Sequence, residues 1–280
     1  MKISIVGHGF VGQAVEYGFK TIDVQIQLID PKYGTELDDV DDFGPDLTFV
    51  CVPTPMGEDG SIDATILQYV TQELKGMHSG IVVIKSTVTP DLITEVCRTA
   101  NFVYSPEFLT ERNAANDFAN PSFHIFGGER AVCEKVHEYY QRYSICSPAP
   151  VHYTTLEEAS MIKYAVNSFL ATKVAWFNQL KDLCDKNGFG YNVISKAVGS
   201  DPRIGHSHTK VPGPDGKRGF GGSCFPKDTS AFSIYSSNSG SFLSILSHAI
   251  AVNHDYRIGY DLDERELEQN VRYTKGQLDE

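Results

Sequence analysis

The residues from Gly219 to Asp228, Gly-Phe-Gly-Gly-Ser-Cys-Phe-Pro-Lys-Asp, gather the densest chemistry in the chain. Glycines let a backbone pass close to a ligand with no Cβ in the way. They lead into Cys224, and Lys227 and Asp228 follow three and four residues later. A helix that starts near Pro226 carries the proline in its first turn and sets Lys227 and Asp228 beside the thiol. A helix N-terminus and a nearby ammonium both favour thiolate, the form a nucleophilic cysteine needs. A glycine loop with a buried cysteine is the plainer alternative; the concentration of special residues favours the nucleophile.

A second glycine run, Gly7-His8-Gly9-Phe10-Val11-Gly12, has the spacing GxGxxG. It follows the apolar run Ile3 to Val6 and precedes a helical stretch from Val11 to Lys20, then a strand from Val24 to Ile29 that ends on Asp30. This is the dinucleotide fingerprint in its required setting, with the acid about 20 residues beyond the glycines. The glycines admit a pyrophosphate to the helix N-terminus, and Asp30 accepts from the adenosine ribose hydroxyls. A carboxylate there repels a 2′-phosphate, which favours NAD over NADP; Lys32 lies two residues on.

Other candidates are weaker as bare residues. Pro53-Thr54-Pro55 stops a strand at its carboxyl end, and Ser86 and Thr87 fall at another strand end, where they face a nicotinamide or cap a helix. Glu107 and Glu111 are spaced for one helical face, usually a solvated one. Lys163 and Asn167 share a face of a long helix. His206 and His208 lack a third ligand, so no metal site is expected.

The elements that must position these groups alternate. Leu47 to Val52 and Gly80 to Lys85 read as buried parallel strands, with further strands at 101–104 and 122–126. Helices are expected at 62–76, after a cap at Ser86 to Pro90, and at 129–142, while 35–46 is acidic and loop-like. Thr155-Leu156-Glu157-Glu158 is a capping-box pattern that opens one long helix, ended by Asn187-Gly188. Its apolar positions Ile162, Val166, Phe169, Phe177, Leu180 and Cys184 recur near the helical period. Helices follow at 229–236 and 241–258, then a charged tail from Asp261. The fold class expected is α/β: a Rossmann-like doubly wound sheet over residues 1–152, then a mainly helical domain over 153–280 with a long central helix.

The 280 residues suffice for two cores, and a net charge of -12 argues against nucleic acid or an anionic membrane as partner. Six cysteines show no CxxC pair, and no apolar run reaches the length of a membrane span, so a cytoplasmic location is expected.

The decapeptide at Cys224 resembles the catalytic-cysteine signature of the UDP-glucose/GDP-mannose dehydrogenase family. Val52-Pro-Thr-Pro, Lys85-Ser-Thr-Val, Ser105-Pro-Glu-Phe-Leu and the helix segment Glu158 to Asn167 occur in that family's order. The similarity covers residues 1 to about 258, and full-length members continue into a third, nucleotide-gripping domain. The resemblance implies oxidation of a nucleotide sugar, UDP-glucose, at C6 to the uronic acid with NAD, as in polysaccharide biosynthesis. It implies Cys224 as nucleophile, with Lys163, Asn167, Asp228, Glu107 and Thr87 in the chemistry. Thr54, Ser86, Thr87, Glu111 and Lys227 join Gly7, Gly9, Phe10, Val11, Gly12, Asp30 and Lys32 at the cofactor. Glu107, Phe108, Leu109, Lys163, Asn167, Phe220 and Gly221 would contact the substrate, and Arg203 would reach that of a neighbouring subunit in a homodimer built on the central helix. Lys217 and Arg218, in the turn-rich loop before Gly219, are candidates for the substrate's phosphates. The rival readings are a two-electron β-hydroxyacid dehydrogenase and a non-catalytic NAD-binding partner.

Overall fold

Strands form along short stretches rich in β-branched and aromatic residues: Lys2–Val6 (β1), Gln25–Ile29 (β2), Leu47–Val50 (β3), Ile81–Ile84 (β4), Phe102–Tyr104 (β5), His124–Gly128 (β6) and Val151–Thr154 (β7). In the computed structural model, which describes residues 1–97, 99–110 and 112–274, they make one sheet in the order β2-β1-β3-β4-β5-β6-β7. Every pairing is parallel except β5 with β6. The order steps outward from β1 to β2 and returns across β1 to β3, which makes the carboxyl ends of β1 and β3 the switch point where doubly wound sheets take ligands.

The sheet belongs to a unit of Met1–Thr54 and Asp63–Lys163. Its helices are Phe10–Phe19 (α1), Asp38–Phe43 (α2), Thr65–Leu74 (α3), Pro90–Val96 (α4), Ala114–Ala119 (α5) and Arg130–Tyr143 (α6). β1, β3 and β4 bury almost every side chain, as strands covered on both faces must. Ile3, Ile5, Phe19, Phe49, Val83, Phe126 and Tyr140 form the core, with the Phe19 and Tyr140 rings edge-on at 5.0 Å. Each such side chain contributes about 1.5–3 kcal/mol by leaving water.

Several local expectations fail. The acidic stretch 35–46 contains α2, whose Asp38, Asp39 and Asp41 sit in the first turn, where the helix field favours carboxylates. β7, α5 and a helix at Tyr191–Gly199 (α8) were read as no element. Two of these three are under seven residues long, too short to show a period. Pro90 opens α4 as expected, but no side chain caps it, and Ser86 Oγ instead donates to the Val52 carbonyl at 2.7 Å.

The second unit comprises Pro55–Ile62 and the chain from Tyr164. The division falls inside Leu156–Lys186 (α7), a single helix of 31 residues. Its capping box closes from both sides: Glu158 N–H donates to Thr155 Oγ1 and Thr155 N–H to Glu158 Oε2. α8, Phe225–Asn238 (α9), Ser244–Arg257 (α10) and Glu264–Glu268 (α11) follow. The expected single apolar stripe on α7 is two faces. Ala171, Ala175, Phe177 and Cys184 are buried against Phe220, Ala249, Tyr191 and Val211. Phe169, Trp176 and Leu183, seven residues apart, are 71%, 52% and 57% exposed.

Candidate active site

β1 ends at the first fingerprint glycine. Gly7 holds φ +86°, and a Cβ there would sit 2.8 Å from the Cys51 carbonyl oxygen, so the turn demands glycine. Around Gly9 nothing would meet a Cβ within 4 Å, which leaves open space over the start of α1. Asp30, just past β2, accepts from His8 N–H at 2.7 Å and from Lys32 N–H at 3.1 Å. Burial works to raise the Asp30 pKa, but these two N–H groups and the Lys32 ammonium outweigh it and hold the group below the usual carboxylate value. Lys32 Nζ also donates to the His8 carbonyl. The glycine turn, the open space and the fixed carboxylate at the switch point fit a dinucleotide whose ribose hydroxyls donate to Asp30. His8 was not foreseen: its ring links Tyr33 OH and Glu16 Oε2, each at 2.8 Å.

Among the other expected cofactor residues, Thr54 donates to the Thr87 carbonyl at 2.8 Å, which ties the ends of β3 and β4 together. Ser86 and Thr87 are buried there. Lys227 belongs to the second unit. Glu111 lies outside the described residues.

The sheet unit also carries a buried ion pair. Lys163 Nζ donates to the Glu107 carbonyl at 2.6 Å and to Glu107 Oε1 at 3.0 Å, and it lies 5.3 Å from the centre of the Phe108 ring. The second oxygen of Glu107 accepts from Leu109 N–H at 2.6 Å. Sequence reading missed Lys85, at the end of β4. Burial pushes its pKa down to about 8, with Ser105 Oγ as hydrogen-bond partner at 3.3 Å. A lysine closing the run Ile-Val-Val-Ile was the available signal.

The helical unit carries a second cluster. Pro226 lies in the first turn of α9, and Cys224 is its N-cap residue, half-buried, with Ser223 Oγ 3.5 Å from its sulfur. Asp228 is fully buried; Asn167 Nδ2 donates to one oxygen at 2.6 Å and Lys227 Nζ to the other at 2.7 Å. The fold thus brings Asn167, from α7, and Lys227 onto Asp228, four residues after Cys224. Burial pushes up the thiols of Cys51, to about 12, Cys133, to about 11, and Cys97 and Cys146.

Three expected substrate residues are occupied locally. Arg203 is exposed and pairs with Asp201 at 2.6 Å. Arg218 donates to Asp182 at 2.6 Å and to the Asn178 side chain and carbonyl, over the Tyr256 ring. Lys217 Nζ donates to the Asp261 carbonyl at 2.5 Å. Phe220 is buried, with its N–H on Asn253 Oδ1 at 2.6 Å. Among the described residues no cluster of three His, Cys, Asp or Glu side chains could hold a metal, and no helix is long and apolar enough to cross a membrane.

A parallel sheet with a glycine turn at its switch point and an acid closing the next strand defines the Rossmann-type dinucleotide-binding class. The chain belongs to the UDP-glucose/GDP-mannose dehydrogenase family. Residues 38–144 match that family's NAD binding domain and residues 157–255 its central domain. UDP-glucose 6-dehydrogenase of Rickettsia typhi is 32% identical over 297 residues, covering 90% of this chain and 67% of the relative. UDP-glucose 6-dehydrogenase TuaD of Bacillus subtilis is 32% identical over 229 residues, and the match spans 76% of this chain but only 47% of that protein. The solved UDP-glucose dehydrogenase of Pyrobaculum islandicum superposes with a TM-score of 0.75 at 27% identity, over 91% of this chain and 68% of that one. NAD is the cofactor that this family's first domain binds, and the glycine turn and Asp30 fit it here.

Proposed function

We propose that the chain is an NAD-dependent nucleotide-sugar dehydrogenase that oxidises the C6 alcohol of UDP-glucose to the carboxylate through a covalent intermediate on Cys224. The observation that carries this is the cysteine at the N-cap of α9, beside an Asp228 carboxylate held by Asn167 and Lys227. NAD, bound twice in turn, supplies the acceptor for one hydride from C6 each time; the first leaves as a base takes the C6 hydroxyl proton, which gives the aldehyde. The Cys224 thiolate attacks the aldehyde carbon, its sulfur bonding as the carbonyl π pair moves onto oxygen. Loss of the second hydride from that carbon leaves a thioester. Water then adds to the thioester carbonyl and the sulfur departs, which returns the thiolate and frees the acid.

Asn167 and Lys163, one turn apart on α7, are assigned to hydrogen-bond the successive oxyanions. Asp228, with Glu107 and a water held by Thr87, is assigned to proton transfer. Phe108, Leu109, Phe220 and Gly221 are assigned to shape the sugar site, and the exposed Arg203 to reach a neighbour's substrate. Lys217 and Arg218 are assigned to the nucleotide phosphates, which requires them to leave Asp261 and Asp182. The outer face of α7, with Phe169, Trp176 and Leu183 exposed, supports a homodimer through this helix. The reading places the chain in the cytoplasm, where its thiols stay reduced.

The test is the yield of NADH per UDP-glucose consumed, with UDP- and GDP-sugars screened in parallel. Two NADH and an acid product support the reading. One NADH with an aldehyde or keto product favours a two-electron dehydrogenase, and NAD binding without turnover a non-catalytic partner.

A further inference from the structure

The loop that carries Cys224 is held from a segment beyond the matched family domains, which end at residue 255. Glu266, in α11, is fully buried. Its Oε1 accepts from Gly222 N–H at 3.2 Å, from Arg257 Nη2 at 2.6 Å and from Tyr273 OH at 2.7 Å. Its Oε2 accepts from Asp263 N–H at 3.0 Å, closing a capping box with Asp263, and lies 4.0 Å from Lys217 Nζ. Arg257, 1% exposed, is held on its other side by Asp215 at 2.6 Å.

A second observation points the same way. A Cβ built on Gly221 would strike the Arg257 guanidinium and come within 2.6 Å of Glu266 Oε1. The loop therefore lies flat against the pair, and glycine at 221 is what lets it do so. The segment is anchored independently, because the Gln269 carbonyl accepts from Met56 N–H at 2.9 Å and Arg272 donates to the Glu58 carbonyl at 3.1 Å.

We propose that Glu266 is a positioning residue for Cys224: its buried carboxylate, oriented by Arg257 and Tyr273, grips the Gly222 N–H and holds the sulfur at the N-terminus of α9. This deepens the reading of Cys224 as the nucleophile and rests on it. The carboxylate is fully buried among protein partners. It acts through two residues of backbone, Gly222 and Ser223, that separate its hydrogen bond from the cysteine.

The test measures the rate at which iodoacetamide alkylates Cys224 in the full chain, followed by peptide mass spectrometry between about pH 6 and pH 9.5, without substrate. Removing the grip in Glu266→Ala should lower the rate at pH 7 about fivefold and move the midpoint of its pH profile upward, since a cysteine released from a helix N-terminus titrates more ordinarily. Glu266→Gln keeps an acceptor for Gly222 N–H and should restore the rate to within about twofold. Should the alanine variant not fold, Glu266→Asp decides, because it keeps the charge opposite Arg257 but withdraws the acceptor by one methylene. It should slow alkylation at least about twofold. A wild-type rate and midpoint in a folded Ala or Asp variant overturns the proposal, whatever happens to thermal stability. So does a Gln variant no better than Ala. Because this readout needs no turnover, normal positioning with no NADH from any nucleotide sugar would instead sink the functional reading.

Discussion

The cysteines and Lys85 show how burial acts on ionisable side chains. Cys224 sits half-buried at a helix N-terminus, whereas burial pushes the thiols of Cys51, Cys97, Cys133 and Cys146 upward. Cys224→Ser should therefore abolish acid formation and leave NAD affinity unchanged, since a serine hydroxyl is not ionised near neutrality; normal turnover in that variant would exclude the covalent route. Lys85 is a cost to the fold. Its folded pKa of about 8 lies below the ordinary lysine value, so the unfolded chain binds the extra proton between those two limits. Stability should rise with pH across the window from about 8 to 10.5, and Lys85→Met should remove that slope and add stability of the order of 3 kcal/mol at pH 7. Denaturant unfolding at pH 7 and pH 9.5 measures both. The residues of the candidate site were readable where chemistry is local in sequence: Gly7 to Gly12 with Asp30, and Cys224 with Asp228. Glu266 escaped because nothing in its neighbours signals burial, and Lys85 because the apolar run before it is a weak signal on its own. A lysine after a strand and a glutamate in a charged tail are ordinarily solvated.

Among the elements, α7 shows what periodicity can and cannot tell. Its start, its stop at Gly188 and its length followed from the capping box and the Asn-Gly pair. Which apolar residues face inward followed only in part, with Phe177 and Cys184 buried and Phe169 exposed, because a helix with two apolar faces blurs a single 3.6-residue stripe. The seven-residue spacing of Phe169, Trp176 and Leu183 is that of a helix seam. Trp176→Ser with Phe169→Ser should dissociate a dimer held there, and sedimentation at micromolar concentration reads it. A double variant still dimeric would move the interface elsewhere. The sheet was more legible, because β1, β3 and β4 are short runs rich in Val, Ile, Leu and Phe. β7, with its mixed burial, was not.

The whole molecule carries a net charge of -12, while the proposed substrate brings about two negative charges of its own. At about 10 mM ionic strength the Debye length is about 30 Å, so the protein's field opposes arrival; at about 100 mM it is about 10 Å. The kcat/KM for UDP-glucose should therefore rise with salt over this range. A fall would mean that a local basic site, rather than the net field, governs capture. The chain spans about half the length of several relatives it matches, so this comparison is best made on the purified chain alone.

The flat seating of Gly221 has a consequence for how this sequence can change over generations. Because Arg257 and Glu266 fill the space that any side chain at 221 would need, these positions are not free to drift one at a time. An alanine at 221 would press on the ends of both side chains, striking Arg257 Nη2 and coming within 2.6 Å of Glu266 Oε1, so it must come with a shift of that buried pair. The single Gly221→Ala change should therefore cost more than the same change made after positions 257 and 266 have both become small. What the cysteine loop can tolerate is thus set by side chains on two later helices.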